Sequence, residues 1–235
     1  MHDSPWNADE INDHRIEIVW QDRRIRPKIG FDLILDDSGH RKRGEDVEGV
    51  GRQYIGQIGK VDNGIVAVTT HIYDGTRGYP FEILQYRPPS TLEKGKNDEA
   101  FRTKPQLALE LIDKCCARNL SPGLTIIDSF YGSSSLFFKE LESRGLKYVA
   151  ALRKNRAVFA QLPGEKSRQQ HLLEEIAKAL PAQEFTKITL PLEKPRDVWI
   201  ARVSSQSKQD YRGAVHLRSA LHQVCIGVFD QTGGI

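Results

Sequence analysis

Three aspartates stand where apolar runs give way to polar ones: Asp36 and Asp37 after residues 31–35 (FDLIL), and Asp128 after residues 124–127 (LTII). In an open α/β sheet the carboxyl ends of strands are where ligands bind, and carboxylates gathered there must pair with cations or hold a metal. Oxygen donors that leave several positions to water suit Mg²⁺ or Mn²⁺. The plainer alternative is that a strand-end aspartate starts a turn or caps the next helix, and residues 129–135 (SFYGSSS) after Asp128 fit that equally well. Asp36 and Asp37 are neighbours, so in extended backbone their side chains leave opposite faces, and one of them is expected to face a site shared with Asp128. The other is expected to pair with the basic residues 40–43 (HRKR).

Two further clusters carry charge. Gly51-Arg52-Gln53-Tyr54, Gly56-Gln57 and Gly59-Lys60 look superficially like a phosphate loop, but such a loop needs G-x-x-x-x-G-K-[ST], which is absent. The glycines are expected to permit tight turns between short strands. Arg52, Tyr54 and Lys60 are candidate contacts to a nucleic-acid backbone, as are Arg153, Lys154 and Arg156 in the run after residue 152. The seven histidines form no zinc-ligand spacing, and no G-x-S-x-G appears.

The elements that must position these residues follow from periodicity. Residues 31–37 read as a buried strand ending in the two carboxylates, and residues 64–73 and 79–86 as a hairpin about an Asp74-Gly75 turn. Residues 105–119 place Leu107, Leu111 and Ile112 at helical spacing, 124–128 form a short strand, 133–144 place Leu136, Phe137 and Leu141 on a second helix, and 147–152 form another strand. Three strands, helix, strand, helix, strand predicts a mixed α/β sheet with helices packed on it. Beyond it, 168–180 is helix-like, 185–191 and 198–203 are strand-like, and the pattern decays from residue 204.

The totals exclude more than they assign. The 235 residues carry 34 Lys+Arg against 31 Asp+Glu, far from the excess of a protein that binds nucleic acid by charge alone. The longest uncharged, mostly apolar stretch is residues 64–73, too short for a membrane span, and charges crowd the first 25 positions where a signal peptide needs an apolar run. Three cysteines, two of them adjacent, imply no disulfide framework. A protein of the cytoplasm is expected.

Taken in order, LILDDSGHRKRG, VGRQYIGQIGKVDN and TIIDSFYGSSSLFFKELESRGLKYVAALRKN resemble the DDE transposases of bacterial insertion sequences. The similarity is to the branch with a D-D/E-[ST]-G-x-x-K-x-G motif followed by G-x-x-x-Q-Y-x-G-Q-x-G-K, and it runs from about residue 5 to about residue 202. It implies an RNase H-like α/β fold, a mixed sheet with flanking helices, incomplete at both ends. The implied layout is a lead-in over 1–30, a partial core over 31–203 with an insertion or extension after about 157, and an out-of-family tail over 204–235.

The resemblance also implies DNA transposition by metal-dependent strand cleavage and transfer, with two Mg²⁺ or Mn²⁺ ions held by two aspartates and a glutamate. The first aspartate maps to the Asp36/Asp37 pair, with Asp37 preferred because it immediately precedes the hydroxyl residue of the motif, and the second maps to Asp128. The implied partners are DNA, as transposon ends and target, and further copies of the chain, near the bacterial nucleoid. The family's late Y-x-x-R-x-x-x-E-like segment, source of the third carboxylate, has no counterpart, since Tyr211-Arg212 is followed by no glutamate and none occurs after Glu193. The expectation is therefore a truncated or frame-shifted copy, defective in cleavage. A non-catalytic DNA-binding or oligomerising remnant that interferes with the full-length enzyme is the alternative, and an unrelated metal-dependent phosphohydrolase the third reading.

Overall fold

The computed structural model describes residues 7–162, 164–190, 193–206, 212–219 and 225–229. The first residues of the lead-in (1–6), including Pro5, and Tyr211 with much of the tail lie outside the described residues. The chain divides into two compact parts, Met1–Gly123 and Leu124–Ile235.

The first part contains helix α1 (Ala8–Gln21), strands β1 (Asp32–Arg41), β2 (Gly51–Ile55), β3 (Lys60–Tyr73) and β4 (Gly78–Tyr86), and helix α2 (Lys104–Ala117). Strand β3 is the hub. Its one edge pairs antiparallel with the whole of β1, from Asp32 opposite Tyr73 to Arg41 opposite Gly64, and β2 and β4 pair antiparallel along it as successive hairpins. Gly64 pairs with both Arg41 and Gly51, and a Cβ there would lie 2.3 Å from the His40 carbonyl oxygen, so the crossing point accepts glycine alone. Because β3 has 14 residues, it offers β1 pairing partners past the aspartates. Strand β1 therefore does not end at the two carboxylates but continues through His40 and Arg41, so that Asp36 and Asp37 lie within it.

Helix α2 forms because Thr103 and Gln106 make a reciprocal capping box and Pro105 occupies the first turn. Its apolar stripe, Leu107, Leu111 and Ile112, is fully buried, in the same core as Leu33 and Leu35 of β1 and Val66, Val68 and Ile72 of β3. Helix α1 has no such stripe: Ile16 is buried while Ile11 and Ile18 are exposed. It is fastened by polar and aromatic contacts instead. Asn12 and Arg15 donate to the Phe81 carbonyl oxygen at 3.2 and 2.8 Å, and Trp20 packs its ring against Phe31 and Phe81.

The second part contains β5 (Leu124–Ile127), α3 (Ser135–Ser143), β6 (Tyr148–Leu152), β7 (Ala157–Ala160), β8 (Gln169–Leu172), α4 (Leu173–Ala179), β9 (Thr186–Leu190), β10 (Arg196–Gln206), β11 (Arg212–Ser219) and β12 (Cys225–Phe229). β5 and β6 are parallel, joined through α3, and β12, β11 and β10 continue antiparallel from β6. On α3 Phe137, Phe138 and Leu141 are buried, whereas Leu136 faces out. Residues 168–180 are not one helix. Residues 169–172 pair with β7, and only seven residues of α4 follow. From β1 to β6, with β2 as an added short strand, the succession is strand, strand, strand, helix, strand, helix, strand, with antiparallel pairing first and a parallel pair last. This is a mixed α/β chain of the RNase H-like kind.

Candidate functional site

The pleat of β1 sends its two aspartates to opposite faces. Asp37 follows Leu33 and Leu35 onto the face that carries the core, and there its Oδ2 meets the Lys104 ammonium at 2.6 Å. Both side chains are largely shielded, 25% exposed for Asp37 and 17% for Lys104. Lys104 is the first residue of α2, held by the Thr103 capping box, and its ammonium also lies 5.5 Å from the centre of the Tyr86 ring. Asp36 leaves by the other face and is exposed. Its Oδ1 accepts the Asp37 amide at 2.8 Å, and its carbonyl oxygen accepts the Thr69 hydroxyl at 3.1 Å. Asp37 thus pairs with a lysine 67 residues away, while in the HRKR run Arg41 pairs with Asp62 at 3.1 Å.

Asp128 is exposed immediately after β5. Its Oδ1 accepts the amides of Phe130 at 3.0 Å and Tyr131 at 3.2 Å, and its carbonyl oxygen accepts the Gly132 amide at 2.9 Å. The turn-forming role allowed by SFYGSSS is therefore realised. A carboxylate has about four acceptor positions. The loop it organises is braced from below. A Cβ on Gly132 would stand 2.2 Å from the Ala151 carbonyl oxygen, so the loop lies directly on β6. Arg156 donates to the Gly132 carbonyl oxygen at 2.7 Å and to the Ser135 hydroxyl at 3.2 Å, with its guanidinium 5.1 Å from the centre of the Phe138 ring. Burial pushes the Arg156 pKa below its ordinary value.

The candidate phosphate contacts separate. On β2, Arg52 and Tyr54 alternate outward on one face while Gln53 and Ile55 are buried on the other. Gln53 donates to the Gly64 carbonyl oxygen at 2.8 Å, so the glutamine of the G-x-x-x-Q-Y block is a brace of the β2–β3 hairpin. Lys60, paired opposite Ile55, is turned to the other side of that hairpin and lies 3.8 Å from Asp62. Arg153 is exposed, and Lys154 reaches to within 3.9 Å of Glu174. Arg156 is the member of its run whose guanidinium is engaged internally. Among the described residues no three His, Cys, Asp or Glu side chains gather as a metal-ligand group. Nor is any described helix long and apolar enough to cross a membrane.

Sequence reasoning missed Lys104 as the partner of Asp37. Its one signal is position, since a lysine that opens a capped helix has its stem fixed, but nothing local names a strand 67 residues upstream as its target.

The strand order and the mixed pairing define an RNase H-like class of fold. The chain belongs to the DDE superfamily endonucleases, the model of which matches residues 1–209. It is similar to a probable transposase for insertion sequence element IS701 from Microchaete diplosiphon, with 39% identity over 158 residues. That stretch is 66% of this chain but 40% of the relative, so the chain spans about two fifths of the length of the curated relative it matches.

Proposed function

We propose that these 235 residues are part of the catalytic core of an insertion-sequence transposase, in which Asp36 and Asp128 are each metal-ligand carboxylates and Asp37 is a structural ion-pair partner. The observation that carries the assignment within the pair is the 2.6 Å contact between Asp37 and Lys104. A carboxylate already neutralised by an ammonium is a poor ligand for a second cation, whereas the exposed Asp36 keeps its charge for one. This reverses the preference that the motif alone suggests. Both remaining carboxylates are hard oxygen donors, the chemistry that Mg²⁺ and Mn²⁺ take.

A divalent ion bound by such residues would polarise a phosphodiester and activate the attacking oxygen. The chain's own contribution is to hold the donors. Asp36 is fixed by the β1–β3 ladder and Asp128 by its turn amides, while Arg52, Tyr54, Arg153 and Lys154 are exposed and available to DNA phosphates and bases. The third carboxylate of the family motif has no match in the sequence, so cleavage by these residues alone is expected to be weak, with DNA and metal binding retained.

The test is Mn²⁺ binding by electron paramagnetic resonance, run beside a nicking assay on supercoiled DNA. Asp36→Asn and Asp128→Asn should each weaken Mn²⁺ binding, while Asp37→Asn should leave it near the wild-type level. Loss of binding in Asp37→Asn with an unchanged fold would overturn the assignment within the pair. Strong metal-dependent nicking by the wild-type chain that disappears in Asp128→Ala would overturn the expected weakness.

A further inference from the structure

We propose that the loop joining α1 to β1, together with the β3–β4 turn, forms a phosphate-backbone contact for duplex DNA, separate from the residues assigned above. The inference rests on the reading that this chain acts on DNA. The two segments enclose an open concavity of about 740 Å³ around which stand Arg23, Arg24, Arg26, Lys28 and Arg77. Against these five cations the segments carry two carboxylates, Asp22 and Asp74, an excess of three, which equals the net charge of the entire chain. The patch therefore carries a local excess of positive charge.

Both carboxylates are already engaged. Asp22 is held by Arg24, with contacts of 3.1 Å to Nε and 2.7 Å to Nη2. Asp74 accepts the amides of Thr76 at 2.9 Å, Arg77 at 2.7 Å and Lys28 at 3.4 Å. Other bonds clamp the segments together: Lys28 Nζ donates to the Thr76 hydroxyl at 3.0 Å, Arg77 donates to the Arg24 carbonyl oxygen, and the Tyr79 hydroxyl donates to the Ile25 carbonyl oxygen. A loop so clamped presents its arginines with little ordering left to do on binding. Arg23 and Arg26 are exposed, and among the described residues neither has a side-chain partner. Guanidinium groups on a fixed backbone beside a concave surface match the oxygens of successive phosphates.

The placement relative to Asp36 fits a duplex. The patch borders the Asp32–Tyr73 end of the β1–β3 ladder, and Asp36 pairs four residues further along, opposite Thr69. At about 3.3 Å per residue that is roughly 13 Å, or about four base pairs of a duplex rising 3.4 Å per pair. A strand held near Asp36 would thus have its flanking phosphates within reach of the patch.

The experiment measures the affinity of the full chain for a labelled DNA duplex by fluorescence anisotropy over a salt series. It compares wild type, Arg23→Ala/Arg26→Ala, and a control that removes two exposed lysines elsewhere, Lys94→Ala/Lys96→Ala. If both arginines neutralise phosphates, the slope of log K against log salt becomes shallower by about 1.8 in the arginine variant, at about 0.9 per contact, and stays at the wild-type value in the control. Equal slopes in wild type and the arginine variant, or an equal change in both variants, overturn the proposal while leaving the DNA reading intact. A wild-type chain with no salt-dependent affinity for DNA overturns both. Matching circular dichroism and melting curves establish that the variants are folded.

Discussion

The loop that follows Asp128 is held by one glycine and one arginine, and the contact distances fix what their loss should cost. In Gly132→Ala the new Cβ would stand 2.2 Å from the Ala151 carbonyl oxygen, against the 3.4 Å or more of an ordinary contact. Over an ångström of separation must be recovered, and the obstacle is the backbone of β6, which cannot swing aside as a side chain would. Overpacking of this kind costs about 1–3 kcal/mol. Arg156→Ala removes the charge-assisted bond to the Gly132 carbonyl oxygen and the bond to Ser135, and the half-buried guanidinium leaves a gap over Phe138. Discounted for its partial exposure, that loss is about 1–2 kcal/mol.

Both substitutions act on the same peptide, so they should not add. Once Gly132→Ala has lifted the loop off β6, the carbonyl that Arg156 reaches is already displaced, and the double variant should fall short of the sum of the singles by more than about 0.5 kcal/mol. At roughly 2–4 °C per kcal/mol for a chain of this size, the single variants should melt about 2–12 °C below wild type. The same variants should lose hydrogen-exchange protection at the Phe130 and Tyr131 amides, because those donate to Asp128 only while the loop holds its turn. A Gly132→Ala chain that melts within 1 °C of wild type, or a strictly additive double variant, would refute the brace.

Further outcomes follow from other residues. Lys104→Ala should leave Asp37 without its ammonium and lower the melting temperature, and Lys104→Ala/Asp37→Asn should recover part of the loss, since the uncompensated partly buried charge is then gone. The Asp74 carboxyl is held below its ordinary value of 3.8, first by the Arg77 amide and against a smaller desolvation effect. A depressed folded-state value gives stability that is present above the unfolded value and is lost as pH falls through the folded one, so melting at pH 3 compared with pH 7 should show a smaller acid loss in Asp74→Asn than in wild type. Burial pushes the Cys115 thiol up to about 12 while Cys116 is exposed, so iodoacetamide at pH 8 should alkylate Cys116 in the folded chain and Cys115 only on unfolding, as read by peptide mass spectrometry.

What was legible in the sequence was whatever repeats with a short period. Leu107, Leu111 and Ile112 declare α2 because a buried helical stripe needs that spacing, and the alternation through Leu33 and Leu35 declares β1 for the same reason. Helix α1 was invisible because its attachment is made by Asn12, Arg15 and Trp20 to residues more than ten positions away, which leaves no apolar period to read. The end of β1 was misplaced for a related reason. His40 and Arg41 look like turn residues, but the length of a strand is set by its partner, and β3 extends far enough to pair with both.

The choice between Asp36 and Asp37 shows the same limit at the scale of one side chain. Period two tells that adjacent residues part to opposite faces, and the hydrophobic pattern even tells which face is the core, since Asp37 is in step with Leu33 and Leu35. That pattern alone would have warned that Asp37 needs a partner, because a carboxylate on the core face is costly unless paired. What it could not supply was the partner. Lys104 reaches Asp37 only because the capping box at Thr103 and Gln106 starts α2 at that residue and the Leu107–Ile112 stripe seats the helix in the core beside β1. The partner of Asp37 is thus supplied by a helix that no part of the motif contains.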